Sequence, residues 1–141
     1  MNERSVLSVL TRNAEGLETF PQDAVIFREG DNGECMYAVH TGRVQLSTGS
    51  HVLEVVGPGG IFGEMILIGR SERSATATAL AECQLAPIDQ KRFDRIVQLN
   101  PPVAREIMWI MAERLTAMNE RLRLSGESRH QLGGKSGNPS G

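Results

Sequence analysis

The feature that most constrains the fold of this chain is a series of short apolar runs, separated by glycines, between Phe20 and Ile88. The runs read AVIF, CMYAVH, RVQLS, VLEVV, ATATA and CQLAPI. Short apolar runs at regular spacing, with glycine turns between them, are typical of an antiparallel barrel or roll. We therefore expect a mainly β fold with flanking helices, in which the strands form an antiparallel, jelly-roll-like β-roll.

One connection within this region has the sequence of a hairpin turn. Residues 47–51, Ser-Thr-Gly-Ser-His, join two of the apolar runs and carry a glycine at their centre. A short loop that contains glycine is the usual link between two antiparallel strands. The sequence therefore predicts that residues 43–48 pair with residues 52–56.

The pattern changes from strands to helices after Pro87. Asp89 precedes a run with apolar residues at helical spacing, and aspartate is a favoured residue at the N-cap of a helix. Pro101 and Pro102 suit the start of a second helix, because a missing N–H costs little at the first helical position. Residues 103–124 contain neither glycine nor proline. We predict a short helix followed by a long C-terminal helix.

The two ends of the chain differ in composition. Residues 1–19 have apolar side chains at loosely helical spacing, which predicts a leading helix. Residues 125–141 are rich in glycine and serine, and ordering them would cost entropy without burying apolar surface. We predict one domain over residues 1–124, with the β-roll at about 20–88 and helices at about 89–124, and a disordered tail over 125–141.

Composition and charge exclude several classes of protein. The formal net charge of −2 offers no basic excess for coating nucleic acid or an anionic membrane. No stretch approaches the length of about 18 apolar residues that marks a membrane span, and the N-terminus does not resemble a cleavable signal. Cys35 and Cys83 lack metal-binding spacing and suit reduced, buried thiols. We therefore expect a cytoplasmic protein without a membrane segment or a metal.

The segment from 62 to 79, FGEMILIGRSERSATATA, is the most informative one. It places Glu64 and Arg73 nine residues apart and contains an Arg-Ser-Ala-Thr run. This segment resembles the phosphate-binding cassette of the cyclic nucleotide-binding domain family, which includes regulatory subunits of cAMP-dependent kinase, gated channels and Crp/Fnr-type bacterial regulators. The upstream string VIFREGDNGECMYAVHTGRVQL also resembles the family pattern, so the resemblance covers roughly residues 20–124. It implies a cyclic nucleotide ligand, cAMP or cGMP.

The chemistry of these residues suits a cyclic phosphate, which carries one negative charge on two exposed oxygens. The guanidinium of Arg73 can neutralise that charge and donate parallel hydrogen bonds to it, and Ser74 can add a hydroxyl donor. A glycine at 63 permits a tight turn in which successive backbone N–H groups converge on the anion. The candidate binding residues of this turn are Gly63, Glu64, Met65 and Ile66.

The carboxylate of Glu64 would repel a phosphate, so its useful place is beside the ribose. There it can accept a hydrogen bond from the 2′-hydroxyl, which is free in a 3′,5′-cyclic nucleotide. Taken singly, Glu64 is more often a solvated acid, and Arg73 is more often a surface residue paired with Glu72 or Glu64. The joint spacing between strand candidates favours the binding interpretation. The segment departs from the family pattern at Ile66, where a small residue is usual, and at Glu72, where proline is frequent.

The long helix carries an apolar stripe whose members lie alternately four and three residues apart. We call this stripe the seam, and its members are Ala104, Met108, Met111, Leu115, Met118 and Leu122. A stripe with this spacing favours a homodimer through the 103–124 helix, the alternative being one broad core face of a monomer. In the Crp/Fnr-type proteins that the chain resembles, this helix forms a parallel dimer and its late polar residues reach the adenine. The resemblance therefore implies Asn119 as a base contact.

Three functions remain open from the sequence. The first is a stand-alone regulatory module that binds a cyclic nucleotide and reports to an unidentified effector protein by repacking its C-terminal helix. The second is a fragment of a Crp/Fnr-like transcription regulator, without direct DNA binding because residues 125–141 offer no helix-turn-helix. The third is a ligand-free β-roll that serves as an interaction domain. A metal-dependent enzyme is disfavoured, because His40, His51 and His130 form no HxH pair.

Overall fold

A computed structural model of the chain describes residues 8–12 and 16–132. The strands come first, after one short helix, and two further helices follow them. The elements are α1 (Val9–Arg12), β1 (Glu18–Phe20), β2 (Val25–Phe27), β3 (Cys35–Thr41), β4 (Val44–Thr48), β5 (His51–Val56), β6 (Ile61–Phe62), a 3₁₀-helix (Glu64–Ile68), β7 (Thr76–Ala79), β8 (Cys83–Asp89), α2 (Gln90–Leu99) and α3 (Pro102–Leu132).

The strands form two four-stranded sheets, in the orders β1-β8-β3-β6 and β2-β7-β4-β5. Every pairing within them is antiparallel. The apolar core takes buried side chains from strands of both sheets and therefore lies between them; it includes Val39, Val44, Leu46, Val56, Phe62, Ala77 and Leu85. The predicted antiparallel β-roll, followed by a short helix and a long helix, is confirmed.

The hairpin predicted between residues 43–48 and 52–56 is present as β4 and β5. Val44 lies opposite Val56 at its open end, and Thr48 lies opposite His51 beside the turn. Gly49 occupies the turn with a φ of 57°, a left-handed conformation in which a β-carbon would be strained. The turn glycine therefore identified the pairing correctly.

A second buried layer lies on the outer face of the sheet that contains β3 and β8. Met36 lies opposite Ile88 and Ala38 lies opposite Ala86, so these four side chains share one face. Each of them is at most 2% exposed. The helix α1 contacts both β3 and β8, and the helix α2 contacts β8, so helices cover this face.

The short helix α2 begins where the sequence predicted. The side chain of Asp89 accepts a hydrogen bond of 2.8 Å from the backbone N–H of Arg92, one of the N–H groups that have no partner within the helix. Asp89 is also the last residue of β8. One residue thus ends a strand and caps the helix that follows it.

Replacing Asp89 with alanine is expected to destabilise the fold by about 1 kcal/mol, because an N–H group of α2 then loses its acceptor. The measurement is the free energy of unfolding in urea. Asp94→Ala is the matched control, since it removes the same charge from an exposed position within α2. Asp89→Asn retains a capping oxygen and should keep most of the stability. Equal losses from Asp89→Ala and Asp94→Ala would contradict the capping role.

The long helix α3 begins at Pro102, as predicted, but it continues to Leu132. This corrects the expected disordered tail for residues 125–132, which are helical. Gly126 is the only glycine or proline between 103 and 132, and one helical glycine costs only about 1 kcal/mol relative to alanine. The remaining part of the predicted tail, 133–141, lies outside the described residues. The domain limit at 124 stays a prediction.

The chain divides into two compact units, one ending at Ile107 and the other beginning at Met108. Within the first unit, Val103 and Ile107 are buried. In the second unit, which consists of the rest of α3 as far as it is described, the seam residues Met108, Leu115 and Met118 are exposed in the single chain. No helix in the described part of the chain is long and apolar enough to cross a membrane.

Candidate functional site

The cassette segment opens with a turn that only glycine adopts easily. β6 ends at Phe62, and Gly63 follows with a φ of 76° and a ψ of 18°. The 3₁₀-helix Glu64–Ile68 comes next and ends at Gly69, whose φ is 86°. Gly63 thus stands at the N-terminal end of a short helix, the end from which backbone N–H groups point outward. The predicted cassette turn is present.

Arg73 lies close to this turn and is buried, with 7% of its surface exposed. Its Nη2 donates a hydrogen bond of 2.7 Å to the carbonyl of Cys35, and its Nη1 donates one of 3.4 Å to the carbonyl of Gly63. Its Nε is also buried but has no hydrogen-bond partner. A buried, charged donor without an acceptor is costly, so the site is suited to an anionic oxygen.

The candidate binding residues differ in how deeply they are buried. Glu64 and Arg73 are the two buried charged residues in the described part of the chain, and Glu64 is only 3% exposed. Ile66 is also buried, Met65 is half-buried, and Ser74 is exposed. The fold thus buries both of the charged candidate binding residues, and a buried charge is usually retained because it has a partner or a function.

Three features around Arg73 were missed by the sequence analysis. The guanidinium carbon lies 4.0 Å from the centroid of the Phe27 ring. A β-carbon added to Gly33 would overlap the guanidinium, and the carbonyl of Cys35 accepts its shortest hydrogen bond. Cys35 and Arg73 are 38 residues apart, so no local pattern links them. The only available signal was the resemblance of the upstream string to the family.

Backbone hydrogen bonds hold the loop between β2 and β3, residues 28–34, against the segment before β7. The N–H of Arg73 donates to the carbonyl of Asp31 at 2.7 Å, and the N–H of Gly30 donates to the carbonyl of Arg73 at 2.8 Å. The N–H of Gly33 donates to the carbonyl of Ser71, also at 2.8 Å. These bonds place the β2–β3 loop beside Arg73 independently of the arginine side chain.

Aromatic rings form an apolar wall next to the arginine. Tyr37 stacks on Phe62 with ring centroids 5.3 Å apart, and Phe27 packs against both rings at 5.8 and 6.2 Å. Burial raises the pKa of the Tyr37 phenol above its ordinary value, and the neighbouring Cys35 adds to this effect. Tyr37 therefore stays neutral and belongs to the wall rather than to the charged part of the site.

Asn119, the predicted base contact, lies on the second unit of the chain and is exposed. Its role as a base contact stays a prediction. Within residues 8–12 and 16–132, no group of three or more His, Cys, Asp or Glu residues is arranged to hold a metal ion.

Comparison with known proteins decides the family. The family model described as the cyclic nucleotide-binding domain matches residues 17–100, which include Arg73, Glu64 and the Gly63 turn. The chain belongs to the cyclic nucleotide-binding domain family. The resemblance seen in the sequence is thereby confirmed, and the domain matches both bacterial regulators and channels.

Two relatives and one solved structure place the domain within this family. It is 34% identical over 101 residues to the cyclic AMP receptor protein of Thermus thermophilus, covering 68% of this chain and 47% of the relative. It is 37% identical over 94 residues to a cyclic nucleotide-gated potassium channel of Rhizobium etli, covering 67% of this chain and 26% of the channel. The crystal structure of the Thermus thermophilus catabolite activator protein matches with a TM-score of 0.70 at 29% identity, covering 89% of this chain and 60% of that chain. The chain thus spans about half the length of the receptor protein.

Proposed function

We propose that this domain binds cAMP and that Arg73 anchors the cyclic phosphate. The observation that carries the proposal is the buried guanidinium, held by the carbonyls of Cys35 and Gly63 while its Nε has no hydrogen-bond partner. An anionic phosphate oxygen would satisfy that donor and neutralise the buried charge. The cassette turn adds to this, because the N–H groups at Gly63, Glu64, Met65 and Ile66 suit an anion nest. Ser74 adds a hydroxyl at the exposed edge of the site.

The choice of cAMP over cGMP depends on contacts to the base. The relative with 34% identity is a cyclic AMP receptor protein, which supports adenine as the base. Asn119 is the proposed contact to the purine edge. The test is a calorimetric titration of the purified protein with cAMP, cGMP and 5′-AMP. Tight binding of cAMP alone supports the proposal. Binding of none of the three would favour the alternative, an interaction domain without a nucleotide.

Glu64 is proposed to accept a hydrogen bond from the ribose 2′-hydroxyl. We expect Glu64→Gln to weaken binding of cAMP more than binding of 2′-deoxy-cAMP, because only cAMP offers that hydroxyl to the carboxylate. The measurement is calorimetry with both ligands. Glu72→Gln is the matched control, since Glu72 is an exposed acid next to Arg73. Equal losses for the two ligands in Glu64→Gln would remove Glu64 from the ribose.

The bound nucleotide is proposed to act by changing how α3 packs, so that the domain reports to an effector protein rather than catalysing a reaction. The exposed seam residues Met108, Leu115 and Met118 support a homodimer through α3, since an uncovered apolar stripe favours association in water. Such a module fits a cytoplasmic signalling protein.

A second candidate is the ligand-binding part of a Crp-like transcription regulator, favoured by the match to 47% of the receptor protein.

A further inference from the structure

The side chain of Arg73 lies in a compartment that several distant parts of the chain build together. We call this compartment the arginine cage; it consists of the Phe27 ring, the backbone of Gly33, the Cys35 carbonyl and the Gly63 turn. The guanidinium carbon lies 4.0 Å from the centroid of the Phe27 ring. A β-carbon on Gly33 would overlap the guanidinium, and one on Gly63 would lie 2.7 Å from Nη1. The cage therefore contacts the guanidinium through groups that lie far apart in the sequence.

We propose that Gly33 and Phe27 are positioning residues, which hold the Arg73 guanidinium in the orientation that receives the nucleotide phosphate. Neither residue touches the phosphate in this proposal, and both act through Arg73. The inference rests on the proposed function, because it assigns a purpose to the orientation of the phosphate anchor. An anchor held in place before binding loses little conformational freedom when the ligand arrives, so its affinity is higher.

Gly33 is required for space rather than for backbone conformation. Unlike Gly63, it has no left-handed φ, so alanine fits its backbone without strain. Its N–H donates to the carbonyl of Ser71 at 2.8 Å, which holds the loop where it is. The atoms that a new methyl group would meet belong to the flexible end of the arginine side chain. We therefore expect Gly33→Ala to leave the fold intact and to displace the guanidinium.

Phe27 contacts the guanidinium through the face of its ring, with 4.0 Å between the guanidinium carbon and the ring centroid. A guanidinium over an aromatic face is attracted by the negative charge of the ring face, and this attraction is strongest where water is excluded. Phe27 is partly buried and packs against the core. Phe27→Leu keeps an apolar side chain but removes the aromatic face. Phe27→Tyr keeps the face and should restore the position of the guanidinium.

The first experiment measures cAMP affinity by calorimetry in four variants, Gly33→Ala, Gly57→Ala, Phe27→Leu and Phe27→Tyr. Gly57 is the matched control, because its φ is also outside the left-handed region and a β-carbon there meets no atom within 4 Å. We expect Gly33→Ala to lose affinity at least about tenfold, Phe27→Leu to lose it several-fold, and Gly57→Ala and Phe27→Tyr to stay near wild type. Wild-type affinity in both folded Gly33→Ala and folded Phe27→Leu would overturn the proposal.

The second experiment tests the contact between Gly33 and Arg73 in the absence of nucleotide. Thermal unfolding without nucleotide is compared for wild type, Gly33→Ala, Arg73→Ala and the double variant. If the methyl group acts on the guanidinium, the loss in Tm from Gly33→Ala should shrink or vanish once Arg73 is alanine. An equal loss in both backgrounds means that Gly33 supports the loop and not the arginine, which also overturns the proposal. A wild-type protein that binds none of the cyclic nucleotides would instead reject the proposed function itself.

Discussion

Replacement of Arg73 by alanine is expected to cause a large loss of cAMP affinity in a domain that still folds. The guanidinium is buried beside the cassette turn, and its Nε lacks a protein partner. Loss of a charged, hydrogen-bonded partner from a buried anion costs roughly 2 to 5 kcal/mol. Since about 1.4 kcal/mol corresponds to a tenfold change, affinity should fall by roughly 30-fold to several thousandfold.

Calorimetric titration with cAMP measures this loss, and thermal unfolding checks that the variant is folded. Arg43→Ala is the matched control, because it removes one exposed arginine from the turn between β3 and β4 and leaves the cassette unchanged. Arg73→Lys keeps the charge but not the parallel donors, so its affinity should lie between wild type and Arg73→Ala. The assignment of Arg73 fails if folded Arg73→Ala binds cAMP as tightly as wild type.

Replacement of Leu115 by glutamate is expected to convert a dimeric protein into a monomer. Leu115 lies at the middle of the seam and is 50% exposed in the single chain. In the proposed dimer its side chain would be buried against the partner helix, and a charge there would have no counterion. The expected loss of dimer stability is on the order of 3 kcal/mol.

Sedimentation equilibrium across a concentration series measures the association. Ala117→Glu introduces the same charge two residues further along α3, about 200° around the helix and away from the seam. It should therefore leave the dimer intact. The dimer is ruled out if the wild type runs as a monomer at tens of micromolar with and without cAMP, and the seam then serves another purpose.

Local sequence signals were sufficient to predict a structural feature where the residues that form it are neighbours in the chain. Gly49 marked the β4–β5 hairpin because a short antiparallel link needs a residue that tolerates a positive φ. Asp89 marked the start of α2 because its side chain reaches an N–H only three residues ahead. The end of α3 was missed because the glycine and serine content after 124 lowers helix propensity without abolishing it.

The sequence by itself determined the antiparallel roll, the order of its helices and the family of its cassette, since strand period, turn glycines and the Gly63–Arg73 spacing are local properties. Only the tertiary structure decided that Glu64 is buried while Ser74 is exposed. It also placed Phe27, Gly33 and the Cys35 carbonyl around one guanidinium. These groups meet because antiparallel pairing and the bonds of the β2–β3 loop bring together segments some forty residues apart. Contacts between residues so distant in the sequence depend on strand register and on packing, and neither can be predicted from neighbouring residues alone.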